Sequence, residues 1–154
     1  ELGTTLIVAS HDWQWLNEIC DEILHLFKGK IFCTGRETII FGPWQDFGTG
    51  KWGKFLSDRQ QLLVTAPPDQ EAAAVIDVLP DSENRPTIAG EEIVLCGTVS
   101  RLSLESKTGQ LFATILAGDT PFTVGLTFQQ GKEHTILPGK TVSIRYRLDQ
   151  IKWI

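Results

Sequence analysis

The chain has 154 residues, of which 19 are acidic and 14 basic, and a net charge of −5. This length allows one ordinary domain or a small domain with a tail, and the negative charge argues against a surface that binds nucleic acid. No apolar stretch approaches the roughly 18 residues that a membrane-spanning helix needs. The three cysteines, Cys20, Cys33 and Cys96, have no metal-ligand spacing; they indicate reduced thiols in a cytoplasm and no metal site.

An apolar run with β-branched residues, from Thr4 to Ser10, leads directly into His11 and Asp12. Such a run predicts a strand buried on both faces, the usual state of a strand in a parallel sheet. In open α/β sheets, ligands bind outside the carboxyl ends of the strands. His11 is therefore placed where chemistry normally occurs, and the alternative is a polar residue that caps the end of a strand.

The segment after His11 predicts a short helix and a hairpin. Asp12 can cap a helix that begins at Trp13. Two strands, Glu22 to Phe27 and Lys30 to Cys33, are expected on either side of a Lys28-Gly29 turn. One apolar stripe of the helix is expected to face a core: Leu16, Ile19, Cys20 and Ile23. Because this set cannot bury its own surface, we expect it to be poorly ordered alone or to complete a partner's sheet.

Residues Gly3 to Lys30 resemble the end of an ABC-transporter ATPase domain, in which such a strand ends at the switch histidine. The resemblance implies that His11 contacts the γ-phosphate of ATP in the full protein, whose cofactors are ATP and Mg. The sequence contains no G-x-x-x-x-G-K-[ST] phosphate loop and no Walker B carboxylates or signature loop. We therefore expect the C-terminal segment of a longer ATPase, with no catalytic residue of its own and no activity alone.

The middle of the chain, residues 46–87, is expected to form a linker and pre-barrel strands after an ATPase remnant at residues 1–45. Residues Gly42 to Gly53 are rich in glycine and aromatic side chains, and the aromatic ones need packing partners. This composition predicts a docked linker. Gln61 to Thr65 and Ala72 to Leu79 are expected to be strands, and Asp81 to Pro86 a polar turn.

From Ile88 onward, apolar and polar residues alternate, which is typical of half-buried strands. Five short strands are predicted within 88–154: Val94 to Leu102, Leu111 to Leu116, Phe122 to Leu126, Val142 to Leu148 and Gln150 to Ile154. Gly and Pro residues separate them. The pattern favours a small all-β barrel of OB-like type. The expected fold class is therefore α+β overall: the end of an α/β ATPase domain followed by an OB-like barrel.

This barrel resembles the TOBE or Mop-like domain of importer ATPases. Leu95 to Val99 is similar to that family's L-x-G-x-V opening, Leu137 to Val142 to its L-x-x-G-x-x-V stretch, and Ala72 to Asp77 to its pre-barrel strand. The resemblance implies an ABC importer for an oxyanion such as molybdate or tungstate, with a transmembrane permease subunit as partner. It also implies homodimers through the barrel, and a cytoplasmic location on the cytoplasmic face of the inner membrane.

The oxyanion site of the family is altered here. Relatives place a Ser-x-Arg-Asn stretch before the first barrel strand, where this chain has Gly90 to Ile93, with Glu91 and Glu92. Near the end, the family's Lys-x-Ser matches Arg147 to Asp149. Arg147, with Lys107 from a loop, could attract an anion weakly, but Asp149 would repel it. A regulatory or dimerising barrel is favoured, and the alternative is a stand-alone cytoplasmic protein that stores or senses an oxyanion.

Overall fold

A computed structural model describes residues 3–12, 15–16, 19–20, 22–32, 37–81, 91–104, 109–127 and 136–154. The chain divides into two compact units, Glu1–Gly35 and Arg36–Ile154. The sequence patterns had suggested divisions after residues 45 and 87. The described residues are mostly β-strand, and among them no helix is long and apolar enough to cross a bilayer.

The first unit contains the predicted hairpin. Strands β1 (His25–Phe27) and β2 (Lys30–Phe32) pair antiparallel, with Leu26 opposite Ile31. The two turn residues, Lys28 and Gly29, have positive φ angles of 47° and 75°, as a tight two-residue hairpin turn requires. The predicted hairpin is confirmed.

The predicted helix cap is also confirmed. The Asp12 carboxylate accepts a hydrogen bond from the Trp15 backbone N–H at 3.0 Å. The Asp12 carbonyl accepts one from the Leu16 N–H at 3.1 Å. Trp13, the predicted first helical residue, lies outside the described residues. The apolar stripe is only partly buried, because Leu16 is 8% exposed but Ile19 is 52% exposed.

One prediction for the first unit and the expected overall fold class are wrong. Residues 3–10 contain no strand, and Leu6 and Ile7 are 79% and 90% exposed, so the expected doubly buried strand is not formed. A strand of that kind needs hydrogen-bonded neighbours on both sides, and the only sheet described in this unit is the β1–β2 hairpin.

Helical residues are few among those described. The α+β class is therefore replaced by a mostly β fold.

The second unit is built from antiparallel strands. They are, in chain order, β3 (Thr38–Phe41), β4 (Gln45–Asp46), β5 (Trp52–Ser57), β6 (Gln60–Val64), β7 (Ala73–Ile76), β8 (Leu79–Pro80), β9 (Glu92–Leu104), β10 (Leu111–Ala117), β11 (Thr120–Leu126), β12 (Thr141–Arg147) and β13 (Lys152–Trp153). They form three sheets, with strand orders β11-β10-β9-β12-β8, β13-β7-β3 and β4-β5-β6.

The five-stranded sheet is a curled half-barrel. Along β9, Leu95, Gly97 and Val99 are buried while Val94, Cys96 and Thr98 are exposed, which confirms the predicted alternation. The register with β10 shifts at Ser100, whose hydroxyl donates to the Thr114 carbonyl at 3.1 Å. Such a bulge bends and twists a strand. The sheet curls enough that its edge strands, β11 and β8, approach each other.

The segment between residues 46 and 87 contributes strands to the same body. The predicted strand at 61–65 is confirmed as β6. The predicted strand at 72–79 is confirmed only over 73–76, as β7, and Leu79 begins β8 in another sheet. Strand β7 is buried throughout and lies between β3 and β13. Trp44, Leu62 and Ile76 belong to one hydrophobic core together with Leu95 and Phe122 of the half-barrel. This segment is therefore packed sheet rather than connecting chain.

Candidate oxyanion site

The two sequence motifs of the barrel lie against each other. The Val99 carbonyl, at the end of the first motif, accepts a hydrogen bond from the Gly139 N–H at 2.8 Å, and the Val99 N–H donates to the Lys140 carbonyl at 2.9 Å. Gly139 has a φ of 85°, a conformation that favours glycine. The glycine of the second motif thus shapes the turn that brings β12 back to β9.

The two segments that were matched to the family's oxyanion site also meet. Glu92, at the start of β9, lies opposite Arg147, at the end of β12. The next residue, Leu148, donates its backbone N–H to the Glu91 carbonyl at 3.2 Å. A 3-10 turn over Leu148–Gln150 then places Asp149 beside the arginine. The sheet register therefore gathers the predicted residues at one position.

Arg147 is held by Asp149 through two hydrogen bonds. Its Nε donates to Oδ1 at 2.9 Å and its Nη2 to Oδ2 at 2.6 Å, a bidentate arrangement that is strong for this type of pair. The hydrogen bond that Arg147 donates to Asp149 raises the pKa of Arg147, and the same bond lowers the pKa of Asp149. Because the pKa of the Asp149 carboxylate is lowered, the ion pair is complete at any pH above the ordinary pKa of Asp. It is lost as the pH falls through the lowered pKa of Asp149.

Arg145 is a second arginine at this position, and no sequence motif pointed to it. Its side chain is buried, at 6% exposure. Its Nη1 lies 3.6 Å from Oε2 of Glu92, which is too long for a hydrogen bond. Its Nε is buried without a hydrogen-bond partner. The period-two pattern could have indicated that Arg145 lies beside Arg147, because residues 145 and 147 share a face of β12.

The charges at this position do not favour a free anion. Two arginines, Arg145 and Arg147, lie near two carboxylates, those of Glu92 and Asp149. An incoming oxyanion would have to compete with Asp149 for the guanidinium of Arg147. With its guanidinium bound by Asp149, Arg147 is poorly placed to hold a tetrahedral anion.

The remaining predicted site residues lie elsewhere. His11 is exposed at a bend of the first unit, and its neighbour Ser10 accepts a hydrogen bond from the Asp12 N–H at 3.0 Å. Lys107 and Cys33 lie outside the described residues. Cys20 is half-buried and Cys96 exposed. Within the part of the chain that the structure describes, no three His, Cys, Asp or Glu side chains gather as they would around a metal ion.

Comparison with protein-family models gives no matching family, and comparison with curated proteins gives no match.

Proposed function

We propose that this chain is the C-terminal segment of the ATP-binding subunit of an ABC importer for an oxyanion such as molybdate or tungstate. In this proposal residues 88–154 belong to an OB-like, TOBE/Mop-like barrel that acts as a regulatory or dimerising domain. The order of the sequence motifs supports it, together with the contact between Val99 of β9 and the turn at Gly139. His11 would reach the γ-phosphate only in the full ATPase, which would bind ATP and Mg.

One observation favours a regulatory barrel over an oxyanion-binding one. The bidentate pair between Arg147 and Asp149 engages the cation that the resemblance assigns to the anion. Relatives would have a serine at the position of Asp149, and a serine hydroxyl leaves a neighbouring cation available to an oxyanion. The partners of such a barrel are another copy of it and, through the ATPase, a transmembrane permease at the cytoplasmic face of the inner membrane.

We expect molybdate or tungstate to bind the unaltered chain no more tightly than about the millimolar range. Changing Asp149 to Ser removes the competing carboxylate, and changing Glu92 to Arg adds a donor. The double variant should bind about tenfold more tightly or better, because like-charge repulsion is removed, and the gain should shrink at high salt. Calorimetric titration of both forms at two salt concentrations measures this.

Asp119→Ser is the matched control. Asp119 is exposed in the turn between β10 and β11, so this variant changes the net charge as Asp149→Ser alone does but leaves Arg147 paired. It should bind as weakly as the unaltered chain. Micromolar binding by the unaltered chain would contradict the regulatory barrel.

Self-association is the second expected property of the barrel. Its surface carries exposed aliphatic residues, among them Val94 at 51% and Leu104 at 66% exposure, and such residues are often covered in a symmetric dimer. We expect concentration-dependent dimers in analytical ultracentrifugation, weakened by Val94→Lys. The control is Leu26→Lys, an equivalent change at a 73% exposed position of the first unit. Monomers at all concentrations, or dimers sensitive only to the control, would count against a dimerising barrel.

The alternative is a stand-alone cytoplasmic protein that binds an oxyanion. The observation in its favour is the buried guanidinium of Arg145, whose Nε lacks a partner, since buried polar groups normally have one. In that case the unaltered chain would bind molybdate at micromolar concentration, and Arg145→Met would abolish binding. The same titration therefore separates the two functions.

A further inference from the structure

Strands β4, β5 and β6 form a sheet of their own, here called the ribbon and comprising residues 45–64. Its strands pair only with one another in the described sheets. Its two ends are anchored to the sheet that contains β7. Trp44 donates its indole N–H to the Ala72 carbonyl at 2.7 Å, and Thr65 accepts from the Trp153 indole at 3.2 Å. Between these anchors, no described strand of the ribbon pairs with a strand of the half-barrel.

The ribbon covers part of the inner face of the half-barrel. Leu56, Leu62 and Val64 are buried at 9%, 0% and 3% exposure. They belong to the same core as the inward side chains of β9 to β12. Raising the ribbon would therefore expose the apolar inner face of the five-stranded sheet.

The side chain of Tyr146 hydrogen-bonds the ribbon backbone to that sheet. The Tyr146 hydroxyl accepts from the Leu63 N–H at 3.0 Å and donates to the Leu63 carbonyl at 2.7 Å. It thus satisfies both backbone groups of one ribbon residue, as a neighbouring strand would. Tyr146 is 2% exposed. Burial raises the pKa of its phenol, so the hydroxyl remains protonated and able to donate well above neutral pH.

We propose that the ribbon is a lid that opens as a unit over the half-barrel, and that the Tyr146 hydroxyl is the tether that keeps it closed. Opening breaks side-chain hydrogen bonds and apolar contacts but leaves every strand ladder intact, which makes it a smaller step than unfolding. This device does not depend on the proposed transport function. It supplies the fold with a local motion that a partner or ligand could use.

Amide hydrogen exchange of the unaltered chain and of Tyr146→Phe tests the lid. The substitution keeps the ring but leaves the Leu63 backbone groups without partners. Exchange of the β5 and β6 amides should become about ten- to a hundredfold faster. The amides between β9 and β10 should change much less. In the unaltered chain, the exchange rates of the ribbon amides should also rise less steeply with denaturant concentration than those of the β9–β10 amides. The reason is that lid opening exposes less surface than unfolding.

Thr38→Val is the matched control. The Thr38 hydroxyl makes the equivalent double contact with Thr123 of β11, accepting from its N–H at 2.9 Å and donating to its carbonyl at 3.4 Å. Removing it should accelerate exchange near Thr123 and leave the ribbon as protected as before. Equal acceleration of ribbon and β9–β10 amides in Tyr146→Phe would overturn the lid, as would an unchanged ribbon. Identical denaturant dependence of both regions in the unaltered chain would also overturn it.

Discussion

Replacing Trp44 with alanine is expected to lower the free energy of unfolding of the second unit by about 3–5 kcal/mol. The indole is 2% exposed and packs edge-on against the ring of Trp153, with centroids 5.3 Å apart. It also donates to the Ala72 carbonyl at 2.7 Å. The truncation would leave a cavity and an unsatisfied carbonyl where the ribbon joins the sheet of β7.

Chemical denaturation followed by far-UV circular dichroism measures this loss independently of tryptophan fluorescence. Trp44→Phe keeps most of the bulk but loses the indole N–H, so it should cost only about 1–3 kcal/mol. The control is Phe55→Ala, because Phe55 is an aromatic residue of the same unit that is 56% exposed. It contacts Phe47 edge-on, and its loss should cost about 1 kcal/mol. Equal losses for Trp44→Ala and Phe55→Ala would show that Trp44 is not a core residue.

Several parts of the fold could be predicted from the sequence. Strands β9 and β11 were predictable because buried residues alternate with more exposed ones along them, and a period of two identifies such strands. Strand β12 was predictable because its apolar and polar residues alternate in the sequence, although three successive residues are buried. Strand β10 was predictable as a mostly apolar run between glycine-containing segments. The β1–β2 turn was predictable because glycine tolerates its positive φ. In both cases the signal is local to the strand or turn.

For other strands, either the strand itself or its partner was not predictable, because both depend on distant residues. Strand β3 is four residues long and is held by β7. Strand β13 had been expected to close the barrel, but it pairs with β7 instead. The two residues of β8 complete the five-stranded sheet by pairing with β12. The sequence of such a short strand does not specify which strand it pairs with, and tertiary packing determines the pairing.

The candidate site was predicted in part. The resemblance indicated that Glu92, Arg147 and Asp149 belong together, and the strand register brings them together. Asp149 had been expected only to repel an anion, whereas its carboxylate also binds Arg147 directly. The burial of Arg145 could not be predicted, because an alternating strand places an arginine on a face without saying what covers that face. The Thr4 to Ser10 prediction was wrong because an apolar run specifies a strand only where a sheet is available to receive it.

Gly118→Ala is expected to lower the free energy of unfolding of the second unit by about 2–5 kcal/mol, from a backbone clash added to an unfavourable φ. Gly118 lies in the turn between β10 and β11 with a φ of 61°. A Cβ at this position would overlap the carbonyl oxygen of Leu56 and lie 2.8 Å from its carbonyl carbon. These are main-chain atoms of β5 and cannot rotate away, so the turn or the ribbon would have to move.

Gly139→Ala separates the clash from the backbone conformation. Gly139 also has a positive φ, 85°, but nothing lies within 4 Å of the position that its Cβ would occupy. This variant should therefore cost only the conformational part, about 1–2 kcal/mol. Parallel denaturant titrations give the difference between the two variants, which measures the close approach of the β10–β11 turn to the ribbon. Equal losses of unfolding free energy in the two variants would mean that the ribbon backbone at Leu56 moves away without a penalty, and that the core does not need this contact.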